Sequence, residues 1–106
     1  MPLTRSFHET VREQLADKKF RRELLREAVS NMLAGDLDTA RALLREYING
    51  TVGFVALGEA LEKSPKSLMR MLSPSGNPHA RNLMEIVAYL QRLEGASFRI
   101  TFTAAA

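Results

Sequence analysis

Gly53-Phe54-Val55-Ala56-Leu57-Gly58-Glu59-Ala60-Leu61-Glu62-Lys63-Ser64-Pro65-Lys66-Ser67-Leu68-Met69-Arg70-Met71-Leu72 reads as two short helices joined by a tight turn. Phe54, Leu57 and Leu61 recur at helical spacing. Gly58 lies inside that run, and a glycine in a helix interior costs about 1 kcal/mol relative to alanine, so another backbone is expected to approach it closely. Ser64-Pro65 announces the second helix: a capping side chain, then proline at the first helical position, where its missing N–H is no loss. In that helix Leu68, Met71 and Leu72 share one face, while Lys66 and Arg70, four residues apart, share another with Ser67 beside them.

An apolar face opposite a cationic one suits a helix laid in the major groove of DNA, where its first turns reach base edges. Lys66 and Arg70 suit guanine, and Ser67 suits a base edge or a phosphate. Ser64 and Met69 complete the candidates on this helix; Met69 either meets a thymine methyl group or packs against the core or a partner. The uncharged stretch Ser73-Pro74-Ser75-Gly76-Asn77-Pro78 follows. Its Ser73, Ser75 and Asn77 are candidates for phosphate contacts, although the same residues also make ordinary turns. Lys63 to Arg81 holds Lys63, Lys66, Arg70 and Arg81 without an acidic residue, whereas residues 1–50 are nearly balanced in charge.

Outward from this segment the chain reads as helical. Ser6 and Glu9 form a capping box ahead of Phe7, Val11 and Leu15. Asp17 is placed to cap a second helix with the apolar stripe Phe20, Leu24, Leu25, Ala28, Val29, Met32 and Leu33, stopped at Gly35. Asp36 opens a third, with Leu37, Ala40, Leu43, Leu44, Tyr47 and Ile48, ended by Asn49-Gly50. A closing helix carries Leu83, Ile86, Val87, Leu90 and Leu93. The charges of the early helices, including the basic cluster Lys18, Lys19, Arg21 and Arg22 and the pair Arg41 and Arg45, read as solvated faces. Ser97-Phe98-Arg99-Ile100-Thr101-Phe102 alternates polar and apolar, as a strand does. A lone strand needs a partner, so Phe98, Ile100 and Phe102 are expected to meet a twofold mate or the sheet edge of a partner protein, or to fold back on the helices.

The expected fold is all-α, a repressor-like helix-turn-helix bundle of five to six helices with an N-terminal helical extension and a short C-terminal strand. At 106 residues and 45% hydrophobic content it is expected to form one domain, with N-terminal helices over 1–50, the DNA-binding region over 51–95 and a tail over 96–106. The absence of cysteine excludes disulfides and thiolate chemistry, and fits a cytoplasmic protein. No apolar run is long enough to span a membrane. His8 and His79 are far apart and no glycine-rich phosphate loop is present, so no metal, cofactor or enzymatic activity is expected.

The run from Lys66 to Pro78, with Asn82-Leu83 and Ile86 downstream and Thr51-Val52-Gly53-Phe54 upstream, resembles the addiction-module antidote family of small bacterial helix-turn-helix transcriptional regulators. The resemblance reaches back to Leu43-Leu44-Arg45 and covers most of residues 6–93. The turn position usually held by glycine is Glu62 here, followed by Lys63 where an apolar residue is usual. The resemblance implies an antitoxin of a type II toxin-antitoxin module: a homodimer that binds its operator, represses its own operon and neutralises a co-encoded toxin protein. It implies DNA contacts at Lys66, Ser67 and Arg70, with Ser73, Ser75 and Asn77 toward phosphates. The competing expectations are a plain repressor with no toxin partner and a helical protein-interaction module whose helix-turn-helix no longer touches DNA.

Overall fold

The computed structural model describes residues 3–105, with side chains from residue 7 onward. Local sequence signals set most of its boundaries. Asp17 accepts a hydrogen bond from the Lys19 N–H at 3.0 Å and begins a helix over Lys18–Leu33; Asp36 accepts from the Thr39 N–H at 3.1 Å and begins one over Leu37–Gly50. With Leu3–Gln14 before them, these are α2, α3 and α1. α1 is already helical at Leu3, so Ser6 lies within the helix and does not cap it; nothing in Leu3-Thr4-Arg5 interrupts a helix, and the backbone enters earlier than the capping box suggested. The remaining elements are α4 (Phe54–Leu61), α5 (Pro65–Met71) and α6 (Ala80–Glu94), and no strand occurs among the described residues.

α2 packs along α3, α1 leans on α3, and α4 pairs with α5. One core joins them: Leu15, Leu25, Ala28, Leu44, Tyr47, Ile48, Phe54, Leu57, Leu68, Leu72, Leu83, Ile86, Val87 and Leu90 are all buried in a single cluster. The apolar stripes overrun this core at their ends. Phe7, Leu33, Leu37 and Leu93, all on the apolar stripes read along the sequence, are exposed. No helix among the described residues is long and apolar enough to cross a membrane.

Residues 96–105 have no regular secondary structure, so the expected C-terminal strand is absent from the single chain, which offers it no edge to pair with. The tail divides into two parts. The Phe98 N–H donates to Gln91 Oε1 at 2.7 Å and its ring packs against the core, whereas Ile100 and Phe102 are 77% and 101% exposed.

Candidate nucleic-acid interface

The turn between α4 and α5 is built by the residues the sequence singled out. Glu62 adopts the left-handed conformation, with φ 56° and ψ 45°, and is the only non-glycine residue at positive φ among those described. The Gly58 carbonyl accepts from the N–H groups of Glu62 and Lys63, which closes the end of α4. Gly58 has no room for a side chain, because a Cβ there would lie 2.5 Å from the Lys63 carbonyl oxygen and 3.4 Å from the Pro65 ring. The backbone approach expected at this glycine therefore comes from the turn and the start of α5. Ser64 then caps α5, accepting from the Ser67 N–H at 3.1 Å, with Pro65 at the first helical position.

α5 is anchored by Leu68 and, just past its end, Leu72, both without solvent exposure. Its outer side carries Lys66, Met69 and Arg70, all exposed. Among the described residues neither Lys66 nor Arg70 has an ion-pair partner, unlike Lys63, which lies 3.7 Å from Glu85 of α6. The acid-free run read along the sequence thus receives one carboxylate in three dimensions. Ser67, Arg70, Met71, Ser75, Gly76 and Asn77 line one open groove of about 340 Å³. The hydroxyls of three expected contact residues, Ser64, Ser67 and Ser73, already make hydrogen bonds within the protein. Ser64 donates its hydroxyl to Ser67 Oγ at 3.0 Å while capping, and the Ser73 hydroxyl donates to the Arg70 carbonyl at 2.8 Å.

Arg41 and Arg45 were read as solvated, and the structure corrects this. Arg41 is only 7% exposed; its Nε and Nη2 donate to the carbonyls of Ser73 and Pro74, each at 3.2 Å, and Nη2 also meets Asp38 Oδ1 at 2.5 Å. Arg45 Nη1 donates to the Leu72 carbonyl. The available sequence signal was their i, i+4 spacing, which puts two guanidinium groups on one side of α3 but does not tell a solvated side from one that meets another segment.

A second polar cluster joins α2, α3 and α6. Glu94 is nearly buried and accepts from the Tyr47 hydroxyl and from Arg21 Nε, with Arg22 Nε 3.5 Å away. Arg22 also donates to the Glu94 carbonyl at 2.7 Å. Burial alone raises the Glu94 pKa, but its bonds from Tyr47 and Arg21 outweigh that and hold it below the ordinary carboxylate value. Burial, followed by the bond to Glu94, pushes the Tyr47 hydroxyl pKa up. Arg21 and Arg22 were taken for helix-surface charge; they instead close this interior clasp, while Lys18 and Lys19 remain exposed. Arg26 fits the surface expectation, pairing with Glu23 and Glu27, and His8 Nδ1 ties α1 to Glu46 of α3 at 2.9 Å. No group of three His, Asp or Glu side chains placed to hold a metal occurs among the described residues.

Comparison with protein-family models, with curated proteins and with solved structures finds no match to this chain.

Proposed function

We propose that α4, the Glu62–Ser64 turn and α5 form a repressor-like helix-turn-helix, and that the protein is a sequence-specific DNA-binding transcriptional regulator. The observation that carries this is the two-sidedness of α5: Leu68 is fully buried while Lys66 and Arg70 stand exposed, without ion-pair partners among the described residues. Two exposed cations on one short helix, with Arg70 lining a groove shared by Ser67, Ser75 and Asn77, suit a polyanionic partner. In this reading Lys66 and Arg70 contact base edges or phosphates, and Ser67, Ser75 and Asn77 supply hydrogen bonds from the groove. Ser64 and Ser73 shape the helix ends.

The protein is read further as a homodimer and as the antitoxin of a type II module, which represses its own operon and neutralises a co-encoded toxin. The antitoxin role rests on the resemblance of most of residues 6–93, and of the Lys66–Pro78 run above all, to the addiction-module antidote family. The dimer is supported by the exposed Ile100 and Phe102, of which Ile100 lines a groove of about 520 Å³ together with Leu33, Met84 and Val87. Selection of duplexes from a randomised pool tests the DNA reading. The wild-type chain is expected to enrich one motif and to lose affinity steeply with salt, by about 0.9 log units per log unit of salt for each phosphate neutralised. Lys66→Ala combined with Arg70→Ala is expected to erase the preference for that motif over random duplex. Enrichment that survives the double substitution would remove α5 as the reading helix.

A further inference from the structure

A helix C-terminus exposes carbonyl groups at the negative end of its dipole, and such groups repel phosphate. α5 ends beside the groove that the proposed function assigns to a duplex, so these carbonyls need another destination. The structure supplies one. The Arg70 carbonyl accepts from the Ser73 N–H at 3.2 Å and from the Ser73 hydroxyl; those of Leu72, Ser73 and Pro74 accept from the two α3 guanidinium groups. Gly76 closes the loop onto the same helix end: its N–H donates to the Ser73 carbonyl at 2.9 Å, and a Cβ there would lie 2.5 Å from the Arg70 carbonyl oxygen. The carbonyls of Arg70, Leu72, Ser73 and Pro74 are therefore engaged within the protein, while Ser75 and Asn77 remain exposed around the groove with Arg70.

We propose that Arg41 and Arg45 are positioning residues for duplex binding: they hold the carbonyl side of residues 72–74 against α3 so that the loop offers donors to a phosphate. This rests on the reading of α5 as the DNA-contacting helix. Arg41 carries the larger share, because its Nε and Nη2 span two successive carbonyls and Asp38 accepts from the same Nη2 that reaches Pro74. A lysine at this position keeps the charge but cannot reproduce a planar two-point contact.

The test uses the full-length chain as wild type, Arg41→Met, Arg41→Lys and Tyr47→Phe; the last perturbs the Glu94 clasp without touching the loop. Hydrogen exchange at the Gly76 amide is measured in the free protein, and affinity is measured for a duplex selected by the wild-type chain. Losing two charge-assisted hydrogen bonds is expected to speed Gly76 exchange about tenfold or more beyond any change in global stability, and to weaken duplex binding by about tenfold. Arg41→Lys is expected to fall between wild type and Arg41→Met, and Tyr47→Phe to bind as wild type despite lower stability. Unaltered Gly76 exchange in Arg41→Met overturns the proposal, as does a loosened loop with undiminished affinity. Failure of the DNA reading shows separately, as a Lys66→Ala/Arg70→Ala chain that binds the selected duplex as wild type does, and it overturns the positioning role too.

Discussion

Replacing Glu62 by glycine is expected to stabilise this protein, although it deletes a side chain. Glu62 is exposed, at φ 56° and ψ 45°, and among the described residues its side chain has no hydrogen bond or ion pair to lose. A left-handed conformation costs an L-residue about 1–2 kcal/mol, and glycine removes that cost. Against this, glycine gains freedom in the unfolded chain that folding must remove, about 0.5–1 kcal/mol. The balance favours Glu62→Gly by about 0.5–1 kcal/mol, a rise in melting temperature of roughly 2–8 °C for a chain of this size. Glu62→Ala keeps the strained backbone and separates the two contributions, so it is expected to melt within about 0.5 kcal/mol of wild type. Thermal melting followed by circular dichroism, with all three chains at one concentration, measures the order. A Glu62→Gly protein that melts at or below Glu62→Ala would show that the turn is not held in the left-handed conformation.

Gly58→Ala tests the same corner from the other side: alanine is the better helix former by about 1 kcal/mol, yet its Cβ would meet the Lys63 carbonyl oxygen at 2.5 Å. Overpacking against backbone costs about 1–3 kcal/mol, so a net loss of stability is expected in denaturant titration. The Glu94 clasp sets an acid limit. Because Glu94 is held below its ordinary value of 4.5, its contribution is complete above that value and disappears as pH falls through the folded-state value. Melting temperature is therefore expected to drop more steeply below pH 4.5 in wild type than in Glu94→Gln. Tyr47 works in the opposite sense, contributing fully below its ordinary value of 10 and losing that contribution as pH rises toward its elevated folded value. At the tail, Ile100→Asp with Phe102→Asp is expected to convert a dimer to monomers in sedimentation velocity while leaving the monomer's melting unchanged, since both side chains are exposed in the single chain. A wild-type chain that sediments as a monomer at every concentration removes the dimer.

Much of the helical framework was legible because its signals are local. Asp17, Asp36 and Ser64 cap the helices they were assigned to, Gly58 meets the turn backbone, and Glu62 takes the left-handed position despite being glutamate. Capping and periodicity depend on neighbours a few residues away, which one sequence displays in full. What stayed hidden depends on partners distant along the chain. Nothing in the spacing of Arg41 indicates that Ser73 and Pro74 lie over it, or in that of Glu94 that Tyr47, Arg21 and Arg22 converge there. Charged residues on amphipathic helices are mostly solvated, and these few depart from that rule where helices and loops meet. The candidate site shows the same division: Lys66 and Arg70 are exposed as their spacing suggested, while the hydroxyls of Ser64 and Ser73 are engaged with nearby atoms of their own chain.

The most direct test is an NMR titration of the isotope-labelled full-length chain with a duplex recovered from the randomised pool. Amide and side-chain shifts are expected to concentrate at Lys66, Ser67, Arg70, Ser75 and Asn77 and to fade as salt is raised, with the Glu94 clasp undisturbed. Shifts confined to α1 and α2, or a spectrum unchanged at saturating duplex, would contradict a groove-reading role for α5.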